Sequence, residues 1–547
     1  MCFMRRAKES IRVLFAERRW ERKTCSVKHP HADSHNPVKR FWLFAVLAAT
    51  VLLRLPGIEW GLPPTTPEVA ASGLRSSYAF DERLILEAVA KADMKRLDFD
   101  PRDHHWGTLH LDLVLLALDG AEAAGFFRSP WRMAYHDMIQ GDFVRVYVVG
   151  RTVAIFAALF TVWLLFRFSY GAFAAMLVAV SPSHVLQSDQ VRVDVTMTAF
   201  VILTLLFGLR IHEPDKNLSA TDATAWPQFL VLGIAAGLAI SAKYSALTAV
   251  APIALAALWL KRFPLRGILA VAGGGLLGFL ASWPYFLSRL FAPLEISKGL
   301  RGYVEAYGNA PPPQFLISAG KLLELHGLNI VRFSMGLPAF LLAAGGIAWM
   351  LRRRSRSDWT ILAAIGGSVV ILFPLHWPLV RYDLPLTALL GLCAGAALER
   401  FPKRWRGWLT AVALAMPLAG SIAQIKFMTS THPANLALQR VLEIVPPGNV
   451  IARLVPEEPP LDEKIYPMAQ NIVLDDLTAN PPAWVLMTDL PEVPYPEATL
   501  ALLRSSYEEV ADFGSHRIFA WSTFGEAGAP QDWKYTHPHF VLYRKRS

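Results

Sequence analysis

The chain has 547 residues, of which 53% are hydrophobic, and a mean hydropathy of +0.33. A single soluble core rarely grows so large or so apolar, which favours a membrane protein with one appended soluble domain. The formal charge of +10 is also found in nucleic-acid-binding proteins. Here, however, the basic residues form short clusters between apolar segments, as topology signals do, so we expect no nucleic-acid partner. The three cysteines, Cys2, Cys25 and Cys393, lack metal-ligand spacing and predict no disulfide framework.

Apolar segments long enough to approach the width of a bilayer follow one another along most of the chain. Residues 1–40 carry eleven Lys and Arg and no long apolar run, which indicates a basic cytoplasmic segment and not a cleaved signal peptide. The eleven expected spans are residues 41–59, 142–167, 171–187, 192–211, 227–241, 244–260, 265–287, 331–350, 359–376, 383–399 and 407–425. With this count the loops FRFSYG, LRIHEPDK, LKRFPLR, LRRRSRS and ERFPKRWR all face the cytoplasm, as the positive-inside rule requires. The predicted topology is N-in and C-out.

Three long segments then lie on the outer side: residues 60–141, residues 288–330 and the tail from residue 426. We expect amphipathic helices in the first. The tail contains short strand-like runs bounded by Pro, Gly and Asp, namely VLEIVPPGNVIARLV, AWVLMTDL and HPHFVLYRK, with a helical ATLALLRSSYEEV among them. The predicted domains are therefore a cytoplasmic segment (1–40), a transmembrane catalytic domain (41–425) and a small α/β domain (426–547).

Ionisable residues gather near the outer leaflet in this topology. They are Asp81, Glu82, Arg151, His184, Asp189, Arg192, Asp194, Lys243, His376 and Arg381. Charge beside hydrocarbon is costly, so such residues are candidates for function, although snorkelling and helix-to-helix pairing explain individual cases. Arg151, about eight residues into its span, lies about 12 Å below the surface at 1.5 Å per residue.

Acids and bases that converge at one membrane face suit a reaction with an anionic lipid leaving group. A carboxylate takes a proton from an acceptor hydroxyl, while Arg or Lys stabilises the departing phosphate. Glycosyl transfer from a polyprenyl-phosphate sugar has this need, and its transition state is oxocarbenium-like, as in glycoside hydrolysis.

An ordered set of motifs carries a resemblance to a known family. The motifs are RLPGIEWGLP (54–63), FDERLILEA (80–88), VVGRTVAIFAALFTVWLL (148–165), SPSHVLQSDQVRVDVTMTAF (181–200), GLAISAKYSALTAVAPIAL (237–255), ASWPYFL (281–287) and VRYDLPLTALLG (380–391). Together they resemble the GT-C glycosyltransferases, within the protein O-mannosyltransferase and aminoarabinose-transferase superfamily. The resemblance covers residues 41–400. The segment FDPRDHHWGTLHLDLVLLAL (99–118) departs from the family's Pro-rich loop, so it identifies no acceptor contacts.

The resemblance implies a role for each matching residue. Asp81 would be the catalytic base, and Glu82 would orient the acceptor or help to hold a metal. The residues expected to bind the donor phosphate are Arg151, Lys243, Arg381 and Tyr382. Those expected to shape the pocket are His184, Arg192 and Asp194.

Two further patterns leave alternatives open. His104 and His105 could join Glu82 on a divalent ion such as zinc or manganese, but adjacent histidines are also common in surface loops. The glycine-containing runs AGGGLLG (272–278) and LLAAGG (341–346) superficially resemble nucleotide loops. Because no βαβ pattern flanks them, close packing of helices is the preferred interpretation.

We therefore expect an inverting glycosyltransferase of the bacterial inner membrane with its site facing the periplasm. It would take a monosaccharide from a polyprenyl-phosphate donor and pass it to a lipid, glycan or protein acceptor, with residues 288–330 ordering over the cavity when donor binds. The alternatives are a transporter or lipid-flipping protein with an outer-face polar site, and a non-catalytic assembly factor with the same fold. A transporter predicts inverted repeats and ionisable groups near the membrane midplane.

Overall fold

The computed structural model is mainly helical. The residues that it describes are 37–62, 77, 80–102, 106–137, 139, 141–212, 226–261, 264–285, 319–370, 372, 379–453, 481–488, 497–513 and 539–546. The chain divides into two compact units, residues 1–44 and 45–547. In the first unit, the rings of Phe41 and Trp42 meet edge to face at the start of helix Pro37–Leu52. The elements described below belong to the second unit, apart from residues 40–44.

Within the described part of the chain, six helical segments are long and apolar enough to cross a membrane. They are Arg40–Gly57, Asp142–Leu165, Val193–Arg210, Leu265–Ser282, Glu324–Arg353 and Lys403–Ile444. Shorter apolar helices are Gly171–Val180, Trp226–Ala242 and Tyr244–Trp259. Two more helices, Arg356–Val370 and Leu384–Leu398, lie within or overlap the remaining expected spans. Each expected span thus contains helix, while the count of eleven and the orientation stay predictions.

The expected span 171–187 is not one helix. It consists of Gly171–Val180 and Pro182–Ser188, joined at Ser181, whose backbone is extended. Proline lacks an N–H and its ring disfavours helical geometry in the residue before it, so Pro182 ends one helix and begins the next. Residues 182–188 therefore form a separate short helix, which ends just before Gln190 and Arg192.

The glycine run at 272–278 packs two helices together. A methyl group at Gly274 would overlap the carbonyl oxygen of Leu230, and one at Gly278 would overlap that of Ile234. Helices Trp226–Ala242 and Leu265–Ser282 therefore approach each other backbone to backbone, as small residues allow. Gly346 approaches Cys393 in the same way. The helix-packing interpretation of both glycine runs is confirmed.

The first outer segment contains helices Phe80–Lys91, Leu109–Ala123 and Trp131–His136. The described residues of the tail form helices Pro433–Ile444 and Glu497–Ser506 and four strands, β1 (Ile451–Arg453), β2 (Trp484–Thr488), β3 (Tyr507–Phe513) and β4 (Phe540–Lys545). The sheet order is β1-β2-β4-β3, with β1 parallel to β2 and the other pairs antiparallel.

One hydrophobic cluster joins the tail to the first outer segment. It contains Ile85 and Leu86 of the first segment together with Leu438, Leu486 and Leu542 of the tail. Helix Lys403–Met428 also runs through the expected domain boundary at residue 426. That boundary stays a prediction, and the tail buries apolar side chains in a core that it shares with the segment carrying Asp81.

Candidate active site

Asp81 lies in the first turn of helix Phe80–Lys91, where the helix dipole favours a negative side chain. Its Oδ2 accepts hydrogen bonds from Nη1 of Arg192 and from Nη1 of Arg381. Burial alone would raise the pKa of the Asp81 carboxyl, but Arg381 and Arg192 lower it well below its usual range, so this carboxylate is ionised. The side chain is 23% exposed, so it is held by two cations and still open to a ligand.

The two arginines come from separate parts of the chain. Arg192 directly precedes helix Val193–Arg210, in extended backbone, and its Nε donates to Oε1 of Gln190 over 2.8 Å. Arg381 lies in the short 3₁₀ turn Val380–Asp383. Its side chain is 16% exposed, whereas that of Arg192 is 2% exposed. Arg381 is therefore the more open of the two cations.

A second ion pair lies beside the first. Lys243 follows the end of helix Trp226–Ala242, and its Nζ is 2.6 Å from Oδ1 of Asp194. The same Nζ lies 4.8 Å from the ring centroid of Tyr382, and the guanidinium of Arg381 lies 5.6 Å from it. Cations are attracted to the face of an aromatic ring, so Tyr382 draws both toward one place.

The charges of this group leave an excess of one positive charge. Arg192, Arg381 and Lys243 supply three cations, and the carboxylates of Asp81 and Asp194 supply two anions. Oxygen atoms of a phosphate ester can accept several charge-assisted hydrogen bonds at once. The group is therefore suited electrostatically to a phosphate that carries negative charge.

Arg151, which the family resemblance assigns to the donor phosphate, makes its hydrogen bonds in the described structure with other groups of the chain. Arg151 is paired with Glu82, over 2.8 Å from Nε to Oε1 and 2.6 Å from Nη2 to Oε2. Its Nη1 donates to the carbonyl oxygens of Ile58 and Trp60. These contacts use four of the five guanidinium hydrogens, and the side chain is only 1% exposed. Arg151 thus fixes neighbouring backbone and presents no open face to a phosphate.

Glu82 does not fit the expected metal site. Both of its oxygens accept hydrogen bonds from Arg151, its Oε1 also accepts from the amide of Val191 over 2.7 Å, and its side chain is fully buried. His104, His105 and His376 lie outside the described residues. The described ranges contain no group of three or more potential metal-binding side chains.

His184 and Asp189, two of the expected outer-face residues, are both buried. His184 is fully buried, and its Nε2 is 3.2 Å from the carbonyl oxygen of Leu384, at the start of the helix that follows Arg381. It supports backbone there. Asp189 is 1% exposed, and its carboxylate oxygens have no hydrogen-bond partner among the described residues.

Sequence reasoning missed two contributors to this site. Gln190, which holds the side chain of Arg192, lies in the same SDQVRVD run and is a short-range signal. Asp383, directly after Arg381 and Tyr382, has its carboxylate 2.9 Å from His326. An aspartate at the start of a helix is the usual pattern of an N-cap, so the sequence carries no signal for a contact with a distant histidine.

Comparison with known proteins confirms the resemblance over part of the chain. Residues 144–304 match the family model described as dolichyl-phosphate-mannose-protein mannosyltransferase. That range includes Arg192, Asp194 and Lys243, and it contains neither Asp81 nor Arg381. No protein of curated function matches the chain in sequence.

Several solved structures are similar to this chain in arrangement. ArnT from Cupriavidus metallidurans, bound to undecaprenyl phosphate, is 14% identical over 92% of this chain and 98% of its own, with a TM-score of 0.47. The oligosaccharyltransferase AglB from Archaeoglobus fulgidus, in complex with an inhibitory peptide and a dolichol phosphate, is 12% identical. It covers 91% of this chain and 77% of its own, with a TM-score of 0.44.

Proposed function

We propose that this chain is a membrane glycosyltransferase that moves a monosaccharide from a polyprenyl-phosphate-linked donor to an acceptor hydroxyl. The reaction takes place on the periplasmic face of a bacterial inner membrane and inverts the anomeric carbon. The acceptor is the hydroxyl of a lipid, a glycan or a protein. The name of the matched family supports this class of donor, because it puts the transferred sugar on a dolichyl phosphate.

The observation that carries the proposal is the position of Asp81 between two guanidinium groups. The carboxylate and both cations are partly or wholly shielded from solvent, and Lys243 and Tyr382 adjoin them. The oxygen atoms of a donor phosphate can accept hydrogen bonds from the same guanidinium N–H groups that donate to Asp81 in the structure, so phosphate and carboxylate compete for them. When the phosphate binds Arg381, Asp81 is released toward an acceptor hydroxyl.

The bond changes then follow from these positions. The acceptor oxygen forms a bond to the anomeric carbon while the bond from that carbon to the phosphate oxygen breaks. Asp81 takes the hydroxyl proton, and the lipid phosphate leaves with the bonding electron pair. Arg381 and Lys243 stabilise the negative charge that develops on it. One displacement from the side opposite the leaving group inverts the configuration.

Release from the arginines also makes Asp81 a better base. In the described geometry its pKa is held well below the usual range by Arg381 and Arg192. A carboxylate of that kind accepts a proton weakly, whereas loss of a neighbouring cation raises its pKa toward the ordinary value of about 4. Donor binding and activation of the base are therefore coupled through the same two cations.

The roles differ in part from those that the family resemblance implies. Arg381 and Lys243 bind the donor phosphate, and Tyr382 lies against both of these cations. Arg192 holds Asp81, and Asp194 holds Lys243 in place. Arg151 acts through Glu82 on the backbone beside the site. No divalent metal enters the proposed steps.

The test is transfer of radiolabelled sugar from a polyprenyl-phosphate donor by the purified protein. Asp81→Asn keeps the shape of the side chain, and we expect turnover to fall about 10²–10⁴-fold, as general-base loss does. Because this change also takes the counter-charge from buried Arg192, thermal unfolding is measured alongside to show that the variant is folded under the assay conditions. Asp137→Asn is the matched control, since Asp137 is an exposed acid at the end of helix Trp131–His136 in the same outer segment. Wild-type turnover by Asp81→Asn would overturn the assignment. Movement of labelled lipid across vesicles without sugar transfer would favour the lipid-flipping alternative.

A further inference from the structure

A buried histidine–aspartate pair lies behind the turn that carries Arg381. Nδ1 of His326 is 2.9 Å from Oδ1 of Asp383, and the two side chains are 1% and 0% exposed. His326 belongs to helix Ala319–Asn329, and Asp383 is the last residue of the 3₁₀ turn Val380–Asp383. The pair therefore connects two elements that are distant in sequence.

Asp383 occupies a position where aspartate normally serves its own helix. It is the N-cap of helix Leu384–Leu398, where a side-chain oxygen usually accepts from a backbone N–H of the first turn. Here the side chain makes no such hydrogen bond. One carboxylate oxygen instead forms a hydrogen bond with His326 of helix Ala319–Asn329, so the side chain of Asp383 contacts another helix and does not cap its own.

The chemistry of the two groups indicates the direction of this hydrogen bond. An ionised carboxylate only accepts, so Nδ1 of His326 is the donor to Asp383. Nε2 of the same ring has no hydrogen-bond partner within the described ranges. The contact to Asp383 is therefore the one hydrogen bond that the described residues give this side chain.

The turn itself is short. Inside it, the amide of Tyr382 donates to the carbonyl of Leu379 over 3.2 Å, and the amide of Leu384 donates to that of Arg381. These bonds set the local shape of the turn, and its placement against the surrounding helices depends on side-chain contacts. His326 supplies one such contact, and His184 supplies another at the carbonyl of Leu384.

We propose that His326 is a positioning residue for the donor phosphate: through Asp383 it fixes the turn Val380–Asp383, and so directs Arg381 and Tyr382 toward the phosphate. This inference rests on the proposed function. It assigns helix Ala319–Asn329, which lies within the expected second outer segment (residues 288–330), to the support of donor binding. His326 acts through Arg381 and does not itself touch the reacting atoms.

The test compares two substitutions of His326 in the purified full chain with a radiolabelled polyprenyl-phosphate sugar. His326→Leu removes the donor at similar volume, and we expect the KM for the lipid donor to rise about tenfold or more, as for loss of a hydrogen bond to a charged group. His326→Asn places an amide N–H near the position of Nδ1, and we expect rescue to within about threefold of the wild-type KM. In both variants kcat changes much less than KM. His212→Leu is the matched control, because His212 makes a similar contact, 3.0 Å to Thr360, at the far end of helix Val193–Arg210.

Combining His326→Leu with Arg381→Ala distinguishes a positioning role of His326 from a general effect on stability. If His326 acts through Arg381, adding His326→Leu to Arg381→Ala gives no further rise in donor KM, since residues that act through one another are non-additive. Full additivity would overturn the proposal, as would a fall in kcat alone or a wild-type KM in His326→Leu. If His326→Leu does not fold, failure of His326→Asn to restore the KM would overturn it equally. Absence of sugar transfer by the wild-type protein would refute the proposed function instead, and binding of the unglycosylated polyprenyl phosphate then tests His326 independently.

Discussion

The Glu82–Arg151 pair predicts a large and selective loss of stability. Glu82 accepts three hydrogen bonds, two from Arg151 and one from the amide of Val191. Glu82→Gln keeps the shape but removes the charge, and it sets an amide N–H against a guanidinium N–H. Because Arg151 then becomes a buried cation without a counter-charge, we expect the free energy of unfolding to fall by about 3–5 kcal/mol. Glu82→Gln combined with Arg151→Met removes both charges, and we expect a total loss of only about 1–2 kcal/mol.

These losses can be measured by denaturant titration in detergent micelles, with the four proteins of a double-mutant cycle compared under identical conditions. The matched control is Glu443→Gln, which breaks an ion pair whose partners are 62% and 59% exposed, and we expect a change within about 0.5 kcal/mol. Additive losses of stability in the cycle would refute a structural role for the buried Glu82–Arg151 pair. Wild-type stability together with weakened donor binding in Glu82→Gln would also refute it, and would assign Arg151 to binding of the donor phosphate.

Two further predictions concern packing and pH. Gly274→Ala sets a methyl group against the carbonyl oxygen of Leu230, so we expect it to lower the temperature of unfolding. Gly273→Ala places its methyl group in open space, so we expect it to raise the free energy of unfolding by about 1 kcal/mol through helix propensity. Equal shifts of the unfolding temperature in the two variants would contradict the close helix contact. Burial raises the pKa of Asp112 to about 8, so the folded protein holds this proton more tightly than the unfolded chain. The free energy of unfolding of the wild-type protein should therefore fall as the pH rises from about 4 to about 8. At a pH above about 8, Asp112→Asn should have a higher unfolding temperature than the wild-type protein, whereas near pH 4 the two should differ little. Equal unfolding temperatures at high pH would contradict a buried carboxyl group.

Much of the helical framework could be predicted from the sequence, because an apolar run of bilayer length has few alternatives to a helix. The gathering of Asp81, Lys243 and Arg381 was also predictable in outline, since alternate helix ends return to the same face. What the sequence could not supply was the pairing among these residues. Partner choice depends on distances between segments that are up to 300 residues apart, as with Asp81 and Arg381.

The partner of Arg151 illustrates a signal that was present but unused. Glu82, Ile85, Leu86 and Val89 follow the spacing i, i+3, i+4, i+7, which puts the carboxylate on the buried face of its helix. Successive residues on a helix point about 100° apart, so Asp81 lies at the edge of that face. The rotation of one helix thereby makes Glu82 a fully buried ion-pair partner and leaves its neighbour Asp81 partly exposed.

The helix break at Pro182 was harder to predict from the sequence, because hydropathy is averaged over a window that is longer than the break. The shared core of tail and first outer segment was not accessible at all. The apolar positions of the tail would also suit an independent domain, and only the tertiary contacts show that they belong to a core shared with the first outer segment.

The order of strands in the tail has a consequence for biosynthesis. Strand β4 lies between β2 and β3, so the sheet remains unpaired at its centre until the ribosome has passed residue 545. Apolar side chains of that sheet share a cluster with Ile85 and Leu86, on the helix that carries Asp81, so this core closes only after β4 has been synthesised. A chain that terminates before residue 540 would keep its long apolar helices, yet the helix of Asp81 would lack part of the surface against which it packs.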